Sequence, residues 1–458
     1  MKARVSTVFA CQGCGAVSSK WLGRCPDCGE WNSYIEEVRG AAPGSARAES
    51  LAVGLGETPA EAGERVSTTL PGLDRVLGGG LVPGSVVLLG GEPGIGKSTL
   101  LLQAGRGVAG AGDVLYASGE ESAGQVRLRA ERLGIAEPRL LVVAETDASR
   151  IVALAEKRPP KLLVVDSIQA VRDEALSSAA GTVSQVRESA LQLQRFAKRS
   201  DVPVLLIGHV TKDGSLAGPK SLEHLVDAVV SIEGERGSLR RILRATKNRF
   251  GPVDELALYE MTGEGLVEIA NASAAMLSER RVGRPGSAVA ATREGTRSLL
   301  VEIQALVGPP APGGGSPRRV ALGLDGARLA LLLAVLEVEG LRLAAREVFV
   351  SCTGGLAVDE PAADLAVVAA LASSASGRPL PSGAVFFGEV GLLGEVRGVP
   401  AAAARLKEAG ALGFGEAYLP SGNAGDAAAF SDLAARPVDR VSDFLRLIGP
   451  AGLINPGP

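Results

Sequence analysis

One short segment constrains the fold of this chain more than any other, the stretch VVLLGGEPGIGKSTLLLQAG at residues 86–105. It contains the pattern G-x4-G-K-S from Gly91 to Ser98, after an apolar run typical of a buried strand and before a helical pattern. Glycines let the backbone wrap a phosphate with its N–H groups, at a helix N-terminus whose dipole favours anions. The segment therefore predicts a strand, a phosphate-binding loop and a helix within a parallel α/β sheet.

The residues of this loop are the predicted contacts to ATP. They are Gly91, Glu92, Pro93, Gly94, Ile95, Gly96, Lys97, Ser98 and Thr99. We expect Lys97 to reach the β and γ phosphate oxygens and to act in catalysis, and the Ser98 hydroxyl to bind Mg²⁺.

Further strand patterns end in polar groups. KLLVVDS places Asp166 after a fully apolar run, where we expect it to hold the Mg²⁺ shell through water. VLYASGEES places Glu120 and Glu121 after another run, and Glu120 is predicted to orient the attacking water as a general base. Solvated acids at a helix start are the alternative, more so for Glu121. His209 ends a further strand pattern. It is predicted to sense the γ-phosphate, and an ordinary surface residue is an equally weighted alternative.

The cysteines are concentrated near the start, in CQGCGAVSSKWLGRCPDCGEW. Cys11 with Cys14, and Cys25 with Cys28, form two C-x2-C pairs, each followed by Gly, which together suit the tetrahedral shell of Zn²⁺. Two disulfides or a redox pair are the alternatives. A cytoplasmic setting disfavours the first, and the absence of a surrounding βαβ pattern disfavours the second. Four ligands leave no open position, so the predicted zinc is structural, while Cys352 is predicted to be a core residue.

Composition limits the remaining possibilities. The chain has 458 residues, which suggests about three units at roughly 150 residues each. Its net charge is only −3, from 48 basic and 51 acidic residues, so any polyanion must bind a local basic surface. No run approaches the roughly 18 apolar residues of a membrane helix, and we expect a cytoplasmic protein without a membrane partner.

The stretch ATKNRFG places Lys247 and Arg249 two positions apart. If the segment is extended, both cations leave the same face, because strand side chains alternate. This spacing indicates a site for an anion. An ordinary basic turn at the surface is the alternative reading.

The order of these motifs is distinctive. TTLPGLDRVLGGGLVPGS, the phosphate loop, YASGEES, LLVVDSIQ, GHVTKDG and KNRFG follow one another behind the cysteine pairs. This arrangement closely resembles the bacterial RadA (Sms) family of DNA-repair proteins, which is distinct from the archaeal recombinase of the same name. The resemblance implies a RecA-like ATPase core that works as a ring or filament. It also implies that Lys247 and Arg249 act as catalytic fingers on the γ-phosphate of a neighbouring subunit.

The predicted fold class is therefore α/β, with a mainly parallel RecA-like P-loop core, an N-terminal zinc ribbon and a C-terminal α+β domain. We expect a four-cysteine zinc finger at 1–38 and a linker at 39–66, which is rich in Ala, Gly, Pro and Glu. The ATPase domain is expected at 67–272 and the last domain at 273–458.

The last domain resembles that of Lon proteases, which cut with a Ser–Lys dyad. Ala362 stands where the nucleophile would be, and an ungapped reading puts Ala403 at the lysine position. A methyl group can neither attack a carbonyl nor take a proton, so this domain is predicted to be catalytically dead. Ser351 and Lys407 are present but lie off the motif.

Two polar, glycine-containing loops are the predicted DNA contacts, RDEALSSAAGTVSQVRESA and TKDGSLAGPKSLEH. The candidate residues in them are Arg187, Lys212 and Lys220. Loops of this type can track a phosphate backbone without reading bases.

Taken with the resemblance, these features predict a DNA-dependent ATPase of recombinational repair. It would act as a hexameric translocase on single-stranded DNA and promote branch migration of recombination intermediates, together with a RecA-type recombinase. ATP, Mg²⁺ and structural Zn²⁺ are the expected cofactors. An ATP-dependent protease and a nucleotide-switched recombinase adaptor without motor activity are the alternatives.

Overall fold

The computed structural model describes residues 6–39 without 12 and 14, 64–209, 221–234, and 239–448 without 254, 296, 311–315 and 354–356. Among the predicted site residues, Cys14, Lys212 and Lys220 lie outside the described residues, as does the side chain of His209. The chain folds as two units, Met1–Ile269 and Ala270–Pro458. In the part of the chain described, no helix has both the length and the apolar character needed to cross a bilayer.

The first unit begins with a small antiparallel sheet. Its strands are β1 (Ser6–Cys11), β2 (Val17–Ser18) and β3 (Tyr34–Arg39), in the order β2-β1-β3. Two tight turns follow the cysteines, with Gly15 at φ 74° and Gly29 at φ 76°. Glycine adopts this left-handed backbone conformation at no steric cost, which explains its place after each cysteine pair.

The rest of the first unit is built on one large sheet, formed by nine strands within the described residues. They are β4 (Val86–Gly91), β5 (Val114–Ser118), β6 (Leu140–Ala144), β7 (Leu162–Asp166), β8 (Val204–His209), β9 (Ala228–Glu233), β10 (Arg240–Asn248), β11 (Leu256–Thr262) and β12 (Gly265–Glu268). The order is β12-β11-β10-β9-β4-β8-β7-β5-β6. Strands β4 to β9 are parallel, and β10 to β12 extend the sheet antiparallel.

Helices cover both faces of this sheet. They are α1 (Pro71–Val76), α2 (Lys97–Ala109), α3 (Ala123–Arg132), α4 (Ala148–Lys157), α5 (Val183–Ser200) and α6 (Ser221–Leu225). Along β4, Val87 and Leu89 pack into the core cluster that contains α2, whereas Val86 and Leu88 pack into the cluster that contains α5. Successive strand residues face opposite sides, so a strand buried on both faces reads as a continuous apolar run. The predicted α/β class with a mainly parallel core is confirmed.

The second unit contains a mixed sheet of seven strands among its described residues. In chain order, its strands and a two-stranded ladder are β13 (Ser287–Glu294), β14 (Arg297–Pro310), β15 (Arg319–Leu322), β16 (Arg346–Cys352), β17 (Ala384–Phe386), β18 (Glu389–Val390), β19 (Val396–Arg397), β20 (Glu416–Pro420) and β21 (Ala434–Val438). The main sheet has the order β15-β16-β14-β13-β17-β20-β21, and β18 pairs with β19. Cys352 is 7% exposed, which confirms its prediction as a core residue.

Helices α9 and α10 pack on this sheet, and α9 is buried along most of its length. The helices of the unit are α7 (Ala272–Leu277), α8 (Gly326–Val338), α9 (Asp364–Ser376), α10 (Ala402–Ala411), α11 (Ala424–Ala427) and α12 (Val441–Ile448). Short 3-10 turns occur at Pro361–Ala363 and Ser421–Asn423. Strands and helices are interleaved in this unit. Its resemblance to the Lon protease domain stays a prediction.

Candidate nucleotide and metal sites

The phosphate loop joins β4, which ends at Gly91, to α2, which begins at Lys97. Gly94 and Gly96 have φ of 78° and 120°, values that side chains with a Cβ rarely adopt. At Gly91, a Cβ would lie 2.6 Å from Ile232 Cγ2 and 2.8 Å from the Ile232 carbonyl oxygen. The glycines of the motif are therefore required both by backbone conformation and by the close approach of β9.

Lys97 is folded back onto its own loop. Its side chain is 5% exposed, and Nζ donates to the carbonyl oxygens of Gly91 at 2.8 Å and Glu92 at 2.9 Å. Burial lowers the pKa of Lys97, while the carboxylates of Asp166 and Glu120 oppose that shift. The ammonium is therefore held inside the loop by groups that a phosphate could replace.

Asp166 ends β7 directly beside the end of β5, because Ser118 is its register partner. Its carboxylate is 8% exposed, and Oδ2 accepts a hydrogen bond of 2.5 Å from the hydroxyl of Tyr116. Burial, reinforced by Asp166, raises the pKa of Tyr116 well above its usual value, so the hydroxyl keeps its proton and donates. The sequence did not single out Tyr116, because a tyrosine within a strand is common and its partner Asp166 lies 50 positions away.

Glu120 and Glu121 have different partners despite being adjacent. Glu120 accepts a hydrogen bond from the hydroxyl of Ser167, the residue that follows Asp166. Glu121 forms an ion pair with Arg129 on α3. The structure thus brings Glu120 to the same edge as Asp166 and Lys97, while Glu121 is engaged by a helix.

A further residue, Arg241, supports the loop from β10. Its Nε donates to the carbonyl oxygen of Ile95 at 3.1 Å, inside the phosphate loop. The contact joins residues 146 positions apart in the chain. No local motif marks Arg241, which stands beside Arg240 at the start of β10.

Lys247 and Arg249 both turn towards the connection between α6 and β9. Lys247 Nζ donates to the carbonyl oxygens of Glu223 and Val226, the second at 2.8 Å. Arg249 forms an ion pair with Asp227, with 3.2 Å between NH1 and Oδ1. Burial lowers the pKa of Lys247, and the neighbouring Arg249 adds to the shift. The pair expected from the sequence is therefore one local cluster, gathered around a single turn of the chain.

This cluster lies at the edge of the sheet where the parallel strands begin, whereas the phosphate loop lies at the edge where they end. The backbone N–H of Arg249 donates to the carbonyl of Asp227, whose own N–H donates to Val86 at the start of β4. Gly91 is five residues further along that strand, which is about 16 Å at ~3.3 Å per residue. Neither cation is placed to reach a phosphate held by the loop of its own subunit.

Arg187 lies on helix α5 and not in a loop, so the prediction of a loop through residues 183–190 is wrong. Its NH1 donates to the carbonyl oxygen of Gly15 at 3.0 Å. Gly15 belongs to the turn that follows the first cysteine pair. The described structure therefore gives Arg187 a contact with the small N-terminal sheet, and its predicted contact with DNA stays a prediction.

The cysteine sulfurs of the N-terminal sheet gather at one point. Among the described residues, Cys11, Cys25 and Cys28 place their Sγ atoms within 4.8 Å of one another, with 3.6 Å between Cys11 and Cys28. Tetrahedral Zn–S bonds of ~2.3 Å require about 3.8 Å between sulfurs, so the thiolates fit zinc. Each knuckle is closed by the same hydrogen bond, from Gly15 to Cys11 and from Gly29 to Cys25. The arrangement supports a structural metal site.

In the second unit, the positions compared with the protease dyad carry no catalytic pair. Ala362 is 2% exposed in the turn before α9, and Ala403 is an exposed residue of α10. Ser351 lies on β16 and Lys407 is exposed on α10. A buried methyl group at the first position cannot supply a nucleophile.

Family models match two parts of the chain. An AAA domain model matches residues 57–215, and a rubredoxin metal binding domain model matches residues 9–36. The second match covers the described cysteine cluster and agrees with its geometry.

Curated relatives match nearly the whole chain. The DNA repair protein RadA of Brucella abortus is 47% identical and covers 95% of this chain and 98% of its own length. The chain belongs to the RadA family of DNA repair proteins. RadA of Pseudomonas aeruginosa is 50% identical, with 92% and 94% covered, and RadA of Bacillus subtilis is 48% identical with the same coverage. The resemblance noted in the motifs is confirmed.

Two solved structures were also matched, each over less than half of this chain. The RadB recombinase is 24% identical with a TM-score of 0.37, and covers 44% of this chain and 99% of its own. A KaiC-like protein from Pyrococcus horikoshii is 22% identical with a TM-score of 0.38, covering 45% and 99%.

Proposed function

We propose that this protein is a cytoplasmic, DNA-dependent ATPase of recombinational repair. It forms a hexameric ring that translocates on single-stranded DNA and promotes branch migration of recombination intermediates, in concert with a RecA-type recombinase. Residues 67–272 form the motor. The observation that carries this proposal is the pairing of a nucleotide site at one edge of the sheet with a cation cluster at the other.

At the nucleotide edge, Lys97 leaves its two backbone carbonyls and pairs with the β and γ phosphates of ATP. Glu120, held by Ser167, accepts a proton from the attacking water and orients it. Ser98 and, through water, Asp166 would hold Mg²⁺, which neutralises charge on the phosphate oxygens when bound.

At the other edge, Lys247 and Arg249 lie too far from their own phosphate loop to act there. A head-to-tail contact places this edge of one subunit against the nucleotide edge of the next, and such contacts form a ring when the rotation between subunits closes. Fixed cations then stabilise charge that develops on the transferred phosphoryl group. This geometry supports the role of both residues as fingers acting in trans.

DNA is expected to contact the segments that follow β7 and β8, through Arg187 on α5 and through Lys212 and Lys220. Because such contacts are to phosphates, binding should weaken as salt rises and depend little on sequence. The zinc ribbon serves as a folded module. The second unit, as a Lon-like domain without a nucleophile at Ala362, serves as a scaffold for the ring.

The experiment that tests this proposal is steady-state ATP hydrolysis by the zinc-loaded protein, with and without single-stranded DNA, beside Lys97→Ala. We expect strong stimulation by DNA in the wild type and loss of hydrolysis in the variant. Robust hydrolysis that is indifferent to DNA would refute the motor and redirect attention to a protein substrate.

A further inference from the structure

One buried carboxylate joins the cation cluster to the start of the P-loop strand. Asp227 is 1% exposed and lies in the turn between α6 and β9. Its Oδ2 accepts from the backbone N–H of Val86 at 3.0 Å and from Nζ of Lys198 at 3.1 Å. Its Oδ1 accepts from NH1 of Arg249 at 3.2 Å. The carboxylate thus binds the first residue of the P-loop strand, the end of α5 and one finger.

A buried carboxylate is costly unless it is paired and hydrogen-bonded, and Asp227 has both kinds of partner. One of them, Lys198, is itself half-exposed and would serve to neutralise the charge. The contact with Arg249 has a different consequence. It holds one nitrogen of a planar guanidinium that carries five donors, so the fork is fixed while other donors stay available for a phosphate.

The same turn also holds the second finger. Lys247 Nζ contacts the carbonyl oxygens of Glu223 and Val226, and the latter directly precedes Asp227. A movement of this turn would therefore displace both cations together. Because Asp227 is also bonded to Val86, such a movement is mechanically linked to β4, which leads to the phosphate loop.

We propose that Asp227 is a positioning residue that orients the fingers and ties them to the P-loop strand of the same subunit. This inference rests on the proposed trans action of Lys247 and Arg249. In an assembled ring, the carboxylate links the state of one nucleotide site to the fingers that serve the next.

The test uses the full-length Asp227→Asn variant, which keeps the side-chain shape but removes the charge that holds Arg249. We expect DNA-stimulated hydrolysis to fall by at least about tenfold, as for loss of a charge-stabilising donor. The dissociation constant of a fluorescent ATP analogue should stay within about twofold of wild type, because Asp227 contacts β4 at Val86, five residues before the phosphate loop begins at Gly91. Lys198→Met, which removes a partner of Asp227 but leaves the fingers, is the matched control and should keep most of the stimulated rate.

Mixing distinguishes positioning of the fingers from a structural role. A Lys97→Ala subunit has intact fingers and no working P-loop, so it can serve the intact P-loop of an Asp227→Asn subunit. We expect hydrolysis to return when these two chains are mixed. If Asp227→Asn does not fold, Asp227→Glu, which keeps the charge but displaces the carboxylate, is mixed in the same way.

Each other outcome has a defined meaning. Full hydrolysis by Asp227→Asn, with loss in Arg249→Ala, would overturn this inference and leave the proposed function intact. Lys97→Ala chains could restore hydrolysis when mixed with Arg249→Ala chains but not when mixed with Asp227→Asn chains. That result would show that Asp227 only supports the fold of its own subunit. Full hydrolysis by both Arg249→Ala and Lys247→Ala would instead refute the trans action itself.

Discussion

The hydroxyl of Tyr116 donates a 2.5 Å hydrogen bond to Oδ2 of Asp166, between two neighbouring parallel strands. Tyr116 is fully buried, so its ring is fixed by packing and its hydroxyl occupies one oxygen of the carboxylate. The charge of Asp166 also acts on Lys97 of the phosphate loop, where it opposes the lowering of the lysine pKa by burial. Loss of a hydrogen-bond partner of a metal-binding carboxylate typically costs about 10- to 100-fold in metal affinity or activity, and we propose that Asp166 holds the Mg²⁺ shell.

We therefore expect Tyr116→Phe to raise the Mg²⁺ concentration needed for half-maximal ATP hydrolysis by roughly tenfold or more. Binding of a fluorescent nucleotide without Mg²⁺ should be nearly unchanged, because Lys97 and the loop remain intact. Tyr259→Phe is the matched control, since Tyr259 is equally buried on β11 and far from Asp166 in the sheet order. An unchanged Mg²⁺ dependence in Tyr116→Phe would contradict the positioning role.

Glu120→Gln should bind ATP and fail to hydrolyse it, with the rate reduced by about 10²- to 10⁴-fold. The amide can accept the hydrogen bond from Ser167 but cannot accept a proton from water. Single-turnover hydrolysis of pre-bound ATP measures this directly. Glu121→Gln is the control, because Glu121 is paired with Arg129, and it should keep most of the rate. Similar losses of hydrolysis in both variants would contradict the assignment of the general-base role to Glu120 and not to Glu121.

The zinc prediction concerns metal content. Wild-type protein should hold one zinc per chain by elemental analysis, because four thiolates complete one tetrahedral shell. Cys25→Ser should lose that metal, since Cys25 is buried within the sulfur cluster. Cys352→Ser should retain it, because Cys352 lies in the second unit. Equal zinc content in all three proteins would place the metal elsewhere.

A buried ion pair in the second unit allows a prediction about the free energy of unfolding. Arg405 is fully buried, pairs with Glu360, and donates to the carbonyl oxygen of Ala291 at 2.6 Å. Arg405→Met removes the ion-pair partner of Glu360 and leaves it the backbone N–H of Arg293, so we expect a loss of about 3–5 kcal/mol in the free energy of unfolding. Hydrogen exchange of the α10 amides measures this loss.

The matched control is Arg436→Met, which breaks an exposed pair with Glu416. Such pairs contribute at most about 1 kcal/mol, so the protection of amides in β21 and α10 should change little. A small effect of Arg405→Met, comparable with that of the control, would show that the buried pair contributes no more than a surface pair.

Local motifs made much of this structure predictable. The phosphate loop, the strand ending at Asp166 and the cysteine knuckles each depend on residues close in sequence, whose chemistry requires a particular backbone. The α/β class followed from the same patterns, because a buried parallel strand must be apolar on both faces.

Long-range pairings were not predictable in this way. The bond from Val86 to Asp227 joins residues 141 positions apart, and the contact of Tyr116 with Asp166 joins residues 50 apart. Neither pair has a local signature, because an acid in a turn or a tyrosine in a strand is common. The antiparallel strands β10 to β12 were likewise missed as neighbours of the parallel core, since register depends on which strands meet in space.

The most direct test of the central claim is ATP hydrolysis by mixed assemblies of Lys97→Ala and Lys247→Ala chains. Each variant alone should be nearly inactive with single-stranded DNA, since one lacks the P-loop lysine and the other lacks a finger. In a mixed ring, a P-loop from one variant meets fingers from the other. At equal amounts, about a quarter of the head-to-tail contacts would then be intact.

We therefore predict that mixing restores DNA-stimulated hydrolysis towards a quarter of the wild-type rate. Labelled chains establish that both variants are present in the same assemblies. Hydrolysis no greater than the sum of the two separate variants, in assemblies that contain both, would contradict the action of Lys247 on a neighbouring subunit.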